Sequence, residues 1–590
     1  MRNKITFLFL LMGVAFLNAQ TKKSTEKKKD TVKTEIVNVI SSYTPTIADA
    51  FKIKKNPKIE LLNSSKKRPM KYSVFSAPVA STFIPKSGVV KGINLGKKER
   101  LYNNYAAVGF GNYTTPFVEL FLHNENRYQD EYGLFTKYTS SENSVENTFL
   151  NSNYSDFKSR LFYGRKERIL DWKITFNSER AIYNWYGLPD FITNNNLQNA
   201  INEEQRYNLF ELVGDLNFKN SYIDIAKAEV SYYSDAYQTK ELLLQTKVNF
   251  KFPLKAISPK WNDLKVESKI AFLTGEFQQD YQGVSELGYS IFTASIQPNY
   301  EFTYQDFSVK IGIKSYLSLD IENSITNLLL YPDLKISTPI VQNHISLYAG
   351  ATGDLYTNTY KSFSDENPFV SPTLFITQTS ESYNYFLGFN GKINQNISFN
   401  IKGNYTFEED KALFIRNNSK FNGTTPTAND TPLKGYEYGN SFGVYYDDIT
   451  TTSLFGEIEY DFSEIITLGT NFQLDNFETK NSTEAWNLPT SKASLFGKYN
   501  KEKWMAETTV FYVGERKDAI YSGSYPSSIS GSQSLDAYID INISGSYHFN
   551  DKFSTFLRLK NILNNDYQRF SNFHVQGFQI LGGFTYKFNF

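Results

Sequence analysis

The chain contains no cysteine. Disulfide staples and thiolate-based metal or redox sites are excluded. Histidine is scarce, with four residues, His123, His344, His548 and His574, none within four positions of another. No H-x3-H or HExxH pattern can be drawn from them, so each reads as a lumen, turn or strand-edge side chain. There is no G-x-S-x-G and no Walker A motif, and the abundant Ser and Thr have no local base pattern. Two carboxylate pairs stand out, Glu408-Glu409 and Asp447-Asp448. Adjacent residues on a strand point to opposite faces, so neither pair is preassembled for acid/base work or for a Ca²⁺ ion that needs about 6–8 oxygens. No cofactor, no metal and no enzymatic activity are expected. Beyond residue 20 no apolar run approaches the length of a membrane-spanning helix. The net charge of +1 favours neither nucleic acid nor an acidic substrate.

Aromatic residues are abundant, at 16% of the 590 residues, with 42 Tyr and 49 Phe, yet the mean hydropathy is −0.43. Helical membrane spans would not leave the chain so polar. A β-barrel, in which only alternate residues face lipid, would. The last residues, 581–590, read LGGFTYKFNF. Phe584, Tyr586, Phe588 and Phe590 fall on one face, and Thr585, Lys587 and Asn589 on the other. This is the pattern of a lipid-facing strand, and a terminal Phe closing it resembles the C-terminal assembly signal of bacterial outer-membrane barrels.

The same period of two recurs from Leu101 onward. In 244–252, Leu244, Val248, Phe250 and Phe252 oppose Gln245, Lys247 and Lys251. In 307–317, Phe307, Val309, Ile311, Ile313 and Leu317 oppose Ser308, Lys310 and Lys314. Segments 454–462 and 539–549 behave alike. Charge on the second face predicts a watery lumen rather than a dry core, and the segments are long for a soluble sandwich. Connections alternate in length. Short turns at Asn550-Asp551, Asn500-Lys501-Glu502, Ser463-Glu464 and Gln342-Asn343 are expected in the periplasm. Long ones near 182–202, 357–378, 417–438 and 515–534 are expected outside the cell. The reading is an all-β transmembrane antiparallel barrel of about 22 strands, within 20–24, with both ends in the periplasm. Segments 147–166 and 440–462 are each open to one long strand or a hairpin. Asn184-Trp185-Tyr186-Gly187 reads as part of an interfacial aromatic girdle or as a ligand contact. The turn-rich stretch 421–440 is expected to pack inward or to move.

The N-terminus divides into three parts. Residues 1–19 form a signal peptide, with Arg2 and Lys4 before an apolar stretch from Ile5 to Phe16 and cleavage after Ala19. Residues 20–34 are a Lys/Thr-rich flexible linker. Residues 35–100, with prolines at 45, 57, 69, 78 and 85, are read as an extended periplasmic or lumenal segment, and 101–590 as the barrel.

The C-terminal third resembles TonB-dependent receptors. Leu559-Lys560-Asn561-Ile562-Leu563-Asn564-Asn565-Asp566-Tyr567 is similar to that family's N-L-F-N-x-x-Y segment, followed by Gly577 and the aromatic last strand. Tyr512-Val513-Gly514-Glu515-Arg516 is similar to its Y-x-G-x-R strand end. The likeness is closest over 450–590 and architectural over 101–450. Members of the family carry an N-terminal plug. Only about eighty mature residues precede the barrel here, too few for a comfortable independent core, and they lack a plug-like pattern. Ile36, Val37, Val39 and Ile40 lie in a hexamer that loosely resembles a TonB box. The resemblance implies an integral protein of a Gram-negative outer membrane, for uptake or passage of a solute. The missing plug suggests the alternative of a non-transporting subunit or anchor in an assembly, secretion or lipoprotein-handling complex. The partners implied are outer-membrane lipids, the barrel-assembly machinery during biogenesis and a periplasmic or surface lipoprotein, with no nucleic acid.

Overall fold

The computed structural model describes residues 102–589, apart from 127–128, 143–144, 147, 193–199, 260, 284, 423–426 and 429–430. The signal peptide 1–19, the linker 20–34, the segment 35–100 with Ile36, Val37, Val39 and Ile40, and the terminal Phe590 lie outside the described residues. Twenty-two strands form one antiparallel sheet, from Asn104–Gly111 to Gln579–Phe588. The sheet closes on itself, because the first strand pairs with the last in the register Asn104↔Phe588 to Gly111↔Leu581. The expected count, the even number and the common end for both strand termini are all present.

The seam is held by close backbone approach. Gly109 faces Gly583 across it, and a Cβ on Gly583 would overlap the Val108 carbonyl. Phe556, from the neighbouring strand Phe553–Lys560, lays its ring over the two glycines from inside. An aromatic covering bare backbone restores the packing that glycine gives up.

Alternation sets the two surfaces. Leu328 and Leu330 on the twelfth strand are 73% and 62% exposed, and Phe584 and Tyr586 on the last are 53% and 47% exposed. Such apolar exposure repeats on alternate residues of most strands, far beyond the patch a soluble surface carries. It is the face of a barrel sitting in lipid. The inner face carries the charges. Lys247 pairs with Glu267 at 2.7 Å, Lys310 with Asp333 at 2.6 Å and Lys314 with Asp354 at 2.6 Å. No described helix is long and apolar enough to cross a membrane.

Nine turns of two to four residues and the longer connection 253–263 share one end with the strand termini, the turns among them being 342–344, 393–396, 462–465, 502–503 and 549–552. Asn343 and Glu502 take positive φ values of 64° and 48° there, which tight turns require. The other end carries the long connections 185–203, 358–377, 417–441, 514–537 and 561–578. Both ambiguous segments resolve. Phe442–Asp461 is one strand of 20 residues, and 147–166 contributes only the strand Tyr154–Lys166 after a loop. A barrel strand crosses lipid in about 9–11 residues. The 20-residue strands Ile397–Arg416 and Phe442–Asp461 therefore raise the wall well beyond the bilayer on the long-connection side.

Candidate functional site

The main buried cluster of the molecule lies at that raised end. Trp185, Tyr207, Tyr233, Phe277, Tyr289, Tyr360, Phe369, Tyr436, Phe442 and Phe573 belong to one packed group. Tyr207, Tyr233, Phe277 and Tyr289 belong to the inward-facing set of strands six (Glu204–Phe218), seven (Ile223–Ser234), nine (Leu264–Phe277) and ten (Leu287–Tyr304), with strand eight (Lys240–Phe252) between them. The others come from the connections or from strand ends. The long connections thus fold over and into the mouth.

The central piece is the connection 358–377, here termed the strap. It opens with the one described α-helix, Tyr360–Glu366. Thr359 caps it, with Ser362 returning the hydrogen bond to the Thr359 backbone. This capping box lets so short a helix persist. The strap leaves the thirteenth strand, Ile345–Thr357, but docks on the wall three to seven strands away. Tyr360 is 0% exposed, with its ring edge-on to Phe277 at 5.0 Å and to Tyr233 at 5.6 Å. Its hydroxyl donates to Asp235 Oδ2 at 2.9 Å. Its backbone N–H donates to Glu241 Oε2 at 2.6 Å, and the N–H of Lys361 to Oε1 at 3.2 Å. Tyr289 donates its hydroxyl to the same Glu241 Oε2 at 2.7 Å. A buried carboxylate is costly unless its lone pairs are met, and three donors meet those of Glu241, which is 4% exposed.

The strap is tied elsewhere as well. Tyr233 and Ser364 share a hydroxyl hydrogen bond. Tyr207 donates to the Pro368 carbonyl at 2.9 Å, and Trp185 Nε1 to the Phe369 carbonyl at 3.1 Å. Val370 bridges Phe442 in parallel, with Phe442 N–H to Phe369 O at 3.0 Å and Ser371 N–H to Phe442 O at 2.8 Å. On the far side Arg569, in the last connection, donates to the Glu366 carbonyl at 3.2 Å. The strap therefore spans the mouth between three separated sectors of the wall.

Trp185 departs from the girdle reading. It is fully buried in the mouth, edge-on to Tyr436 at 5.4 Å, and so is no part of a lipid girdle. Of the stretch 421–440, Phe421, Leu433 and residues 435–440 pack inward, while Asn422 and Pro432 stay exposed. Tyr436, Tyr438 and Asn440 are buried, and Lys420 pairs with Glu437 at 2.5 Å away from solvent.

The two short sequence motifs meet in space. Tyr567 stacks on Tyr538 with ring centroids 3.8 Å apart and donates to Asp540 at 2.8 Å. The Arg516 guanidinium covers Tyr538 at 5.4 Å and donates to the Gln568 carbonyl at 2.7 Å and to that of Arg569. Asn561, with φ 46°, donates from Nδ2 to the carbonyls of Asn565 and Gln576, both at 2.9 Å, and accepts from Asn565 N–H at 2.9 Å. Both motifs are structural staples of the last connections.

The four histidines stay apart. His574 meets Asp566 at 2.6 Å, and His344 sits in a short turn. Asp447 accepts from Asn481 and Ser482, and Asp448 pairs with Lys480 at 2.7 Å, so these carboxylates are spoken for. No metal-holding cluster occurs among the described residues.

On the loop side, burial holds the Asp235 carboxyl above the usual carboxylate range, against the lowering effect of its hydrogen bonds from Thr239, Tyr360 and Tyr237. Burial does the same to Asp518.

No protein-family model and no curated protein matches the chain. Solved structures do. The FrpB iron transporter from Neisseria meningitidis (F3-3 variant) superposes with a TM-score of 0.61 at 10% identity, covering 83% of this chain and 82% of that one. A mutant of the ferric enterobactin receptor PfeA from Pseudomonas aeruginosa in complex with enterobactin gives 0.60 at 11%, covering 82% and 81%. P. aeruginosa FpvA bound to heterologous pyoverdines gives 0.57 at 10%, covering 82% and 72%. At these identities the likeness is one of fold. The 22-stranded barrel expected from the resemblance to TonB-dependent receptors is present, and the neighbours are named as transporters and receptors.

Proposed function

We propose that the chain is a receptor-type barrel of a Gram-negative outer membrane that takes up or passes a solute, and that its mouth is gated by the strap. The observation that carries this reading is a polar-walled 22-stranded lumen whose wide end is covered by loops rather than by wall. A barrel of this size is too wide to fill itself with side chains. Something must close it, and the strap does so through a limited set of polar ties and one aromatic cluster. The names of the structural neighbours, among them an iron transporter and a ferric enterobactin receptor, support the class without supplying the solute.

Residues 35–100 precede Asn104, which stands at the short-turn rim beside Phe588. We assign that segment the role of stopper at the periplasmic end, with Ile36, Val37, Val39 and Ile40 as its TonB-box-like portion. Phe584, Tyr586, Phe588 and Phe590 are assigned to recognition by the barrel-assembly machinery, which the lipid-side exposure of Phe584 and Tyr586 supports.

Single-channel recording of the purified chain in planar bilayers tests the reading. Deleting 35–100 raises conductance, and deleting the strap raises it further. Conductance unchanged by both deletions, together with a stoichiometric partner retained on mild-detergent extraction from native membrane, would replace transport with the subunit role.

A further inference from the structure

Tyr360 sits in a pocket that it does not help to build. Its walls are Tyr207, Tyr233, Phe277 and Tyr289, carried by barrel strands, and its polar floor is Gln205, Asp235 and Glu241. Every one of these groups is on a strand or on the five-residue turn 235–239. The occupant is on a 20-residue connection that leaves the wall three strands beyond the pocket, after Ile345–Thr357. Rigid walls around a side chain delivered by a loop are the arrangement of a receptor and its ligand, here joined in one chain.

The chemistry of the pocket is specific. Its rings meet Tyr360 mostly edge to face, the geometry aromatic pairs prefer. Asp235 accepts the phenolic proton, and Gln205 Nε2 reaches the same oxygen at 3.3 Å. Glu241 accepts two consecutive backbone N–H groups. A phenol next to two successive amide donors describes a tyrosine within a peptide turn. Stripped of the strap, Glu241 would keep only the Tyr289 hydroxyl on Oε2 and lose the donor to Oε1, while Asp235 would keep Tyr237, Thr239 and Gln205 and lose the phenol. The bare Glu241 oxygen inside an aromatic wall is a costly state that a ligand with the same amide donors relieves.

We infer that the inner wall of strands six to ten is a recognition pocket for a tyrosine-bearing peptide segment, which Tyr360 of the strap occupies in cis. A peptide segment presented from outside competes with Tyr360, and displacement of the strap uncovers the lumen. The inference rests on the gating role proposed for the strap only in this last step; the pocket stands without it.

Thr357 and Gln378 face each other in register, so a two-residue Asn-Gly turn can replace 358–377 without disturbing the strands. The strapless chain, checked for folding by its heat-modifiable migration, is titrated with a synthetic peptide of residues 358–369 by fluorescence anisotropy. It should bind that peptide, bind its Tyr360→Phe version about tenfold more weakly, as loss of a buried hydrogen bond to a carboxylate implies, and ignore its Tyr360→Ala version. The intact chain should bind none of them. Equal binding of all three peptides, or none by a folded strapless barrel, overturns the inference. Should the strapless chain fail to fold, the full-length Tyr360→Ala variant is titrated with N-acetyl-tyrosinamide, and absence of binding there overturns it equally. Neither readout involves conductance, so failure of the transport reading leaves it separately decided.

Discussion

Tyr289 lies flat across Gly275 to reach Glu241. The three residues form one row, Tyr289 opposite Gly275 and Gly275 opposite Glu241. A Cβ on Gly275 would overlap the Tyr289 phenol, so only glycine leaves the ring its path to the carboxylate.

Gly275→Ala is therefore expected to lift Tyr289 off the wall and leave Glu241 with one donor fewer. The cost is about 1–3 kcal/mol, that of a buried polar group losing its partner. It should appear as a lower urea midpoint and as a higher open probability in bilayers. Gly214, near which a Cβ meets nothing, serves as the control position.

Asn561→Ala removes three hydrogen bonds at once, two from its amide to the carbonyls of Asn565 and Gln576 and one from Asn565 N–H to its Oδ1, and it strains the left-handed turn at its positive φ. The expected loss is about 1–3 kcal/mol, read as a lower thermal midpoint. Asn561→Gly restores the turn but not the bonds, and should recover only part of it.

Gly583→Val sets a branched side chain against the Val108 carbonyl and under the Phe556 ring. The first and last strands then cannot close to normal distance. The heat-modifiable, folded fraction in outer membranes should fall severalfold while total synthesis is unchanged.

Much of the barrel was legible because period-two alternation is local. Leu244 to Phe252 and Phe307 to Leu317 reveal their two faces within a single strand, and the alternating lengths of their connections give the even count and the two ends. The mouth was not legible. Tyr360 meets Glu241 from 119 positions away, and Tyr186 donates to the His574 carbonyl from 388 positions away. Such pairs leave no periodic trace. Trp185 shows the difficulty in one residue. At a strand end, an aromatic packed among loops and an aromatic resting at a lipid interface look alike in sequence, and both belong to a chain whose aromatic excess serves two purposes. The capping pattern Thr359-x-x-Ser362, followed by buried Phe363, was the available sign of a helix inside a loop.

A ring of strands resists stretching but ovalises easily, since each hydrogen-bonded joint can flex a little. The strap is a chord across that ring, fixed to the wall at strands six to ten, to Phe442 and, through Arg569, to the connection leading into the last strand. It holds the rim round. Releasing the strap therefore does two things at once: it uncovers the lumen and it leaves the shape of the rim to the hydrogen-bonded wall alone.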